Sequence, residues 1–217
     1  MVLKLYTDDL SPVVQAVLLT ARALDLKLEK IFVNHITRET RKPEFIQINP
    51  QHCVPTLDDD GVIIWDSHAI NAYLVIKYGK DDSLYPSDPI RRAIVDQRLH
   101  FDSCNLFGIL RLIYRLIRVR NKDETILQFL IDQMNESLEI LNRFLKNSKW
   151  AASDDLTIAD FSLISTITFI DILIPIDLKK YANIDKWMNR VKHLPYYDAH
   201  QKGLKDFQEH VNELLHK

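Results

Sequence analysis

Residues 54–70 read Val54-Pro55-Thr56-Leu57-Asp58-Asp59-Asp60-Gly61-Val62-Ile63-Ile64-Trp65-Asp66-Ser67-His68-Ala69-Ile70. Two short runs of β-forming residues, Val54 to Leu57 and Val62 to Ile64, flank the turn signal Asp59-Asp60-Gly61 and predict a hairpin. Asp66-Ser67 then opens an apolar-periodic stretch, which predicts a helix over Asp66 to Tyr78. Upstream, Pro43 to Ile48 reads as a short helix and Leu28 to Val33 as a strand. Ser11-Pro12 opens a further helix, carried by Val13, Val14, Val17, Leu18, Ala21 and Leu24 to about Leu26, and residues 2 to 7 alternate as a first strand. The order βαβαββα calls for a small mixed sheet with a right-handed parallel crossover and helices on its faces.

Downstream the chain changes character. Gly79 to Pro89 is rich in proline, aspartate and serine and has linker composition. Helical spacing then recurs over Ile90 to Arg118, Thr125 to Leu145, Thr157 to Leu173, Tyr181 to His193 and roughly Tyr196 to Leu215, and these five helices imply an all-α bundle. The expected organisation is an α/β unit over residues 1–80, a linker over 81–89 and an all-α unit over 90–217.

Composition narrows the function. Hydrophobic residues make up 47% and charged residues 27%, which suits a soluble globular chain. With four glycines there is neither a G-x-G-x-x-G nor a phosphate-binding G-x-x-x-x-G-K-[ST], so standard dinucleotide and P-loop readings are excluded. A net charge of -2 supplies no field for nucleic acid. The longest apolar stretch, Ile158 to Ile176, is broken by Asp160, Asp171 and Pro175, so no membrane span is expected. Two cysteines, Cys53 and Cys104, form no disulfide framework, and the N-terminus lacks a signal-peptide pattern; both point to the cytoplasm. No histidine or cysteine spacing fits a metal site.

Three places carry chemistry beside an ordinary structural role. Ser11, before Pro12, reads as a helix N-cap; the same hydroxyl at a helix N-terminus could donate to an anion such as a thiolate. One hydrogen bond to a charged group contributes ~1.5–3 kcal/mol, enough to lower a thiol pKa by roughly one to two units. Val54-Pro55 is trans by default; if cis, it would offer the Val54 backbone N–H and C=O to an extended ligand. Asp66 reads as an N-cap, and with Ser67 it could hold both charged ends of an amino acid. Adjacent Asp66-Ser67-His68 does not suit a hydrolase, because neighbouring helical residues point in different directions. Arg111, Arg115 and Arg118 recur on one helix, either as a solvated face or as an anion attractor. Thr157-Ile158-Ala159-Asp160 is a capping box flanked by Leu156 and Phe161, a structural motif.

Taken together, Leu5-Tyr6-Thr7 before Ser11-Pro12, Asn49-Pro50-Gln51-His52-Cys53-Val54-Pro55-Thr56-Leu57, Asp66-Ser67-His68-Ala69-Ile70, Lys77-Tyr78-Gly79, Leu84-Tyr85-Pro86 and Leu156-Thr157-Ile158-Ala159-Asp160-Phe161-Ser162 give a pattern that resembles cytosolic glutathione transferases over essentially the whole chain. Val95-Asp96-Gln97-Arg98-Leu99-His100-Phe101-Asp102-Ser103 looks most like the insect epsilon class, with the delta class next. The resemblance implies a thioredoxin-like N-terminal domain, an all-helical C-terminal domain, a homodimer, glutathione as co-substrate without a metal, and hydrophobic electrophiles as acceptors in detoxification, including dehydrochlorination or peroxidase activity in some members. It implies that Ser11 stabilises the glutathione thiolate and that His52, Cys53, Val54, a cis-Pro55, Asp66, Ser67, His68 and Arg111 line the glutathione site. Leu10, Pro12, His35, Phe107, Leu110, Tyr114, Leu204 and Phe207 would line the acceptor site. A second reading is a binding protein that keeps the fold to sequester hydrophobic ligands, and a third, a thiol-disulfide oxidoreductase, would want cysteine at position 11.

The chain departs from the family pattern in five places. Arg38-Glu39-Thr40 replaces a usual Gly-Glu-His and with it one glutathione contact. His35 stands where leucine is common, and Gln15 where arginine is common. Ser153 replaces a glycine and would be strained if that position required positive φ. Cys53, usually threonine or serine, could react or be glutathionylated.

Overall fold

The computed structural model describes residues 2–120 and 123–216. Its first part runs β1 (Leu3–Thr7), α1 (Pro12–Ala23), β2 (Leu28–Phe32), a 3-10 turn at Glu39–Arg41, α2 (Pro43–Ile48), β3 (Thr56–Asp59), β4 (Val62–Trp65) and α3 (Ser67–Tyr78). The four strands form one sheet in the order β2-β1-β3-β4. β1 and β2 are parallel, and β3 runs antiparallel to both its neighbours. This is the small mixed sheet that the element order calls for, in the thioredoxin-like form that the resemblance implies. The β3–β4 turn falls on Asp60 and Gly61, at φ 54° and 89°, where a turn with two left-handed residues matches the twist of the hairpin.

The alternation of β1 buries Leu3 and Leu5 against Val17 of α1, Leu57 of β3, and Ile70 and Leu74 of α3. α1 has a second duty: its Leu19, with Val75 of α3, belongs to the larger helical core. That core is built by α4 (Pro89–Phe101), α5 (Phe107–Arg118), α6 (Glu124–Phe144), α7 (Ile158–Leu173), α8 (Ala182–Lys192) and α9 (Asp198–His216). Ile158 through Ile170 are all buried, so α7 is the central post of the bundle, as a helix apolar on every side must be.

Two departures from the expected elements matter for the site and the core. Val54 and Pro55 precede the hairpin as a loop, and β3 starts at Thr56. The single helix expected over Ile90 to Arg118 is two helices joined by a π-turn at Asp102–Leu106. Such a turn inserts an extra residue without interrupting the apolar spacing, so periodicity does not reveal it. It directs the buried Asp102 carboxylate at the hydroxyl of Ser162 on α7, which donates to it at 2.6 Å. Ser153 has no positive φ, and its hydroxyl donates to the Asp155 carbonyl; serine is unstrained there.

α3 is tied to the sheet by one carboxylate. Asp59 Oδ2 accepts from Tyr73 Oη at 2.6 Å, Lys77 Nζ at 2.6 Å and Tyr78 Oη at 2.7 Å. Burial alone would raise the Asp59 carboxyl, but the Lys77 ammonium and the two phenols outweigh it and hold its pKa at about 2. An unfolded aspartate titrates near ~3.9. The folded state therefore gains from this group above that value and loses the gain as pH falls through about 2. Asp59→Asn should lower the melting temperature by several degrees at pH 7, and the gap from wild type should narrow as the pH is taken from about 4 towards 2. Melts followed by circular dichroism across that range test this; a gap that stays constant would show that the charge of Asp59 is not what holds α3.

Candidate functional site

Strand register gathers the candidate residues at one end of the sheet. Thr7, the last residue of β1, lies beside Phe32, the last of β2. Tyr6 pairs with Thr56, the first of β3, which pairs with Trp65, the last of β4. The segments that leave or enter there are Asp8–Ser11, Val33–His35, Cys53–Pro55 and Asp66–Ser67. A crevice beyond the strand ends is where open α/β sheets bind ligands.

Ser11 occupies the N-cap position of α1, with Pro12 at the first helical position. Its backbone N–H donates to the Asp8 carbonyl at 3.0 Å, which sets the turn. Its side chain makes no capping hydrogen bond. The hydroxyl therefore sits at the positive end of a helix without being consumed by it.

The loop before β3 is organised by Asn49, a residue the sequence reading passed over as an actor. Fully buried, Asn49 donates through Nδ2 to Thr56 Oγ1 at 2.8 Å and to the Cys53 carbonyl at 3.2 Å, while its Oδ1 accepts from Gln51 N–H at 2.9 Å. Asparagine before proline is the signal that could have found it. The Val54–Pro55 bond is cis, and His52 is left-handed at φ 45°. Val54 stands outside the sheet ladders, which begin at Thr56. The Cys53 thiol also receives the Asn49 amide at 3.4 Å, and burial pushes its pKa up, with the amide opposing. Raised in this way, the Cys53 thiol ionises less readily, and the thiolate is the reactive form.

Asp66 holds φ 73° and ψ 123°, a costly conformation for a residue other than glycine. Its Oδ1 caps α3 by accepting from His68 N–H at 2.9 Å and Ala69 N–H at 3.4 Å. Ser67 is buried at the first position of α3. The His68 ring, expected at the glutathione site, has Nε2 2.7 Å from Ser162 Oγ and 3.4 Å from Asp102 Oδ2, contacts that tie α3 to α7 and the π-turn. Helical geometry explains this, since a residue next to Ser67 must face another way.

The expected acceptor residues come from three places. Leu10, Phe107 and Tyr114 are half-buried against the helical core, while Pro12, Leu110 and Phe207 are buried. Phe207 of α9 packs on the Tyr114 ring with centroids 5.6 Å apart. Leu204 is set apart: with Ile172, Gln201 and Gln208 it lines an open groove of about 420 Å³ along α9. Arg111 is exposed on α5, whereas Arg118 donates to the Ile36 carbonyl at 3.1 Å. Thr40 is the buried residue of the 3-10 turn. Two residues missed by the sequence reading stand beside these. Asp8 accepts Leu10 N–H at 3.1 Å and both the backbone N–H and the ring Nδ1 of His35, at 3.1 and 2.7 Å. His210 Nε2 lies 2.9 Å from Tyr114 Oη.

α9 is clamped to the turn that carries Ser11. Gln15, fully buried, donates to the Asp9 carbonyl at 2.7 Å, so it braces the turn and does not face an acceptor. Gly203 lies directly over it. A Cβ there would overlap the Gln15 amide and come within 2.7 Å of the Asp9 carbonyl oxygen. Gly203→Ala must therefore push α9 outward, carrying Phe207 and His210 with it. The expected result is a lower melting temperature and a several-fold loss of activity, concentrated in KM for the acceptor over KM for the co-substrate. Equal kinetics in variant and wild type would show that the α9 clamp does not shape the site.

Among the described residues no cluster of histidine, cysteine, aspartate and glutamate could hold a metal ion, and no helix is long and apolar enough to cross a membrane.

Comparison with known proteins gives a consistent result. Residues 5–82 match the family model described as "Glutathione S-transferase, N-terminal domain", and residues 104–195 match "Glutathione S-transferase, C-terminal domain". Glutathione S-transferase D7 of Drosophila melanogaster is 37% identical over 98% of this chain and 94% of its own. Among solved structures, an epsilon-class glutathione S-transferase from the housefly, Musca domestica, is 46% identical, covers 98% of both chains and superposes with a TM-score of 0.93. A glutathione transferase homolog from Drosophila mojavensis with bound glutathione is 42% identical over 98% of this chain and 97% of its own, also with a TM-score of 0.93.

Proposed function

Because the chain belongs to the glutathione S-transferase family and joins organic groups to the sulfur of glutathione, we propose that Ser11 is its catalytic hydroxyl. The observation that carries this reading is the Ser11 side chain, left out of the helix cap at the α1 N-terminus, at the same end of the sheet as the Val54–Pro55 and Asp66–Ser67 segments.

Glutathione lies extended across the end of the sheet. Its cysteinyl backbone pairs with the N–H and C=O of Val54, as an added strand would. The γ-glutamyl ammonium meets the Asp66 carboxylate, whose Oδ2 is not used in capping. The γ-glutamyl carboxylate takes the Ser67 N–H and hydroxyl at the N-terminus of α3. His52 lies towards the glycyl carboxylate, and exposed Arg111 supplies a cation on the side where the two substrates meet. Buried Thr40 leaves the glycyl end with one contact fewer than the family pattern provides.

With the peptide fixed, Ser11 donates its O–H to the sulfur, and the α1 dipole adds to the stabilisation of the thiolate. The sulfur attacks the electrophilic carbon of an apolar acceptor held by Leu10, Pro12, Phe107, Tyr114 and Phe207. In a substitution, the S–C bond forms and the halide leaves with the bonding pair. Fixed geometry and a preformed thiolate supply the rate.

In this reading residues 1–80 hold glutathione, 81–89 link, and 90–217 supply most of the acceptor wall. The active form is a cytoplasmic homodimer; exposed Ile76, Ile90 and Ile94 on α3 and α4 support a covered face. Titrating the ultraviolet absorbance of the bound thiolate in wild type and Ser11→Ala tests the role of Ser11 directly.

A further inference from the structure

The acceptor side of the crevice is not wholly apolar. Asp8, at the end of β1, has a side chain only 2% exposed and receives His35 Nδ1 at 2.7 Å, while the His35 ring is 30% exposed. Burial would raise the Asp8 carboxyl, but the hydrogen bond and charge of His35 hold it below its ordinary value. Asp8 is therefore a fixed anion at neutral pH that orients the ring through Nδ1–H. Its carbonyl and its Oδ1 also receive Ser11 N–H and Leu10 N–H, so one residue ties the imidazole to the turn that presents Ser11.

The neighbouring polar groups are already engaged. Tyr114, raised by burial, stays a neutral phenol bound to His210, and burial likewise pushes His210 down and keeps it neutral. Arg118 bonds the Ile36 carbonyl. His35 Nε2 has no hydrogen-bond partner among the described residues. An apolar wall with one oriented ring nitrogen, His35 Nε2, at its edge suits a molecule with a hydrocarbon tail and an oxygen head.

We propose that His35, oriented by Asp8, is the proton donor to the oxygen anion that develops when glutathione adds to an α,β-unsaturated carbonyl in this crevice. This rests on the thiolate reading of Ser11. The glutathione sulfur forms a bond to the β-carbon, and the C=C π pair shifts so that negative charge collects on the carbonyl oxygen. With Nδ1–H kept on Asp8, the proton that passes to that oxygen is the Nε2–H of the doubly protonated His35 ring, which is left as neutral imidazole. The enol then tautomerises to the saturated carbonyl, and the imidazole recovers a proton from solvent, matching the one lost when the thiol ionised. His35 touches the substrate oxygen; Asp8 is a positioning residue.

A chloronitrobenzene provides the contrast, because its addition complex spreads charge into the nitro group and expels chloride without taking up a proton. The experiment measures kcat/KM for a trans-2-alkenal and for a chloronitrobenzene in wild type, His35→Leu and His35→Gln. General acid catalysis typically contributes about 10²–10⁴-fold. The alkenal value should fall about a hundredfold in both variants, and the alkenal-to-arene ratio should fall at least about tenfold, which a packing change alone would not produce. An unchanged ratio, or conjugation of the arene but not the alkenal by wild type, overturns the assignment of His35 and leaves Ser11 standing. Arene turnover that is indifferent to Ser11→Ala overturns the thiolate reading instead.

Discussion

Ser11→Ala should lower kcat/KM for a chloronitrobenzene by about 10- to 100-fold while glutathione binds with nearly wild-type affinity. The magnitude follows from one charge-assisted hydrogen bond of ~1.5–3 kcal/mol, and a tenfold change in rate corresponds to ~1.4 kcal/mol. The peptide's charged ends and its strand-like pairing with Val54 are untouched, so affinity is spared. Because the Ser11 hydroxyl makes no capping bond, its removal should leave α1 intact, unlike the ~1 kcal/mol loss usual for a working cap. The bound thiol should titrate about one to two units higher in the variant. The sign has a visible consequence: the variant's rate should climb with pH beyond the point where wild type has levelled, so the two profiles converge in alkali. A variant with the wild-type profile would remove Ser11 from catalysis. Parallel profiles separated by a constant factor would assign it to orientation and not to ionisation.

How much of this was legible in the sequence depends on the range of each interaction. The sheet and its helices were readable because Leu3, Leu5, Val17, Leu57, Ile70 and Leu74 bury themselves at periods of about two or three to four residues within short segments. The N-cap positions of Ser11 and Asp66 were readable from residue type, but whether each side chain is used by its helix was not: Asp66 caps α3 and Ser11 leaves α1 uncapped. The π-turn escaped because Leu99, Leu106 and Leu110 keep an apolar side to the core across it. Polar contacts between distant residues left no local trace. Asp8 and His35 are 27 positions apart, and His68 and Ser162 are 94 apart. Local pattern constrains which face a residue shows; only the assembled register decides what meets it there.

The largest effect on stability is expected at Asp160, the acidic member of the capping box that opens α7. Its carboxylate is fully buried. It accepts from Thr157 N–H at 3.0 Å and Thr157 Oγ1 at 3.3 Å, which starts the helix, and from Ala151 N–H and Trp187 Nε1 at 2.8 Å each. One side chain thereby joins the loop after α6, the start of α7 and the largest buried residue of α8. Asp160→Ala would strand two backbone donors and an indole N–H where water cannot reach them. Each buried donor left unmade costs about 1–3 kcal/mol, and native proteins have only about 5–15 kcal/mol in total. At about 2–4 °C per kcal/mol for a chain of this size, a melting temperature lower by roughly 10 °C or more is expected, or failure to accumulate folded protein. Asp160→Asn keeps one acceptor oxygen and should lose distinctly less. The damage should reach the active site through the bundle, because α1 and α3 pack on α7 and present Ser11 and Ser67. Below its own melting range, however, Asp160→Asn should retain wild-type kcat/KM. An alanine variant as stable as wild type would mean that Thr157, Ala151 and Trp187 find other acceptors, and that α7 is started by its apolar burial alone.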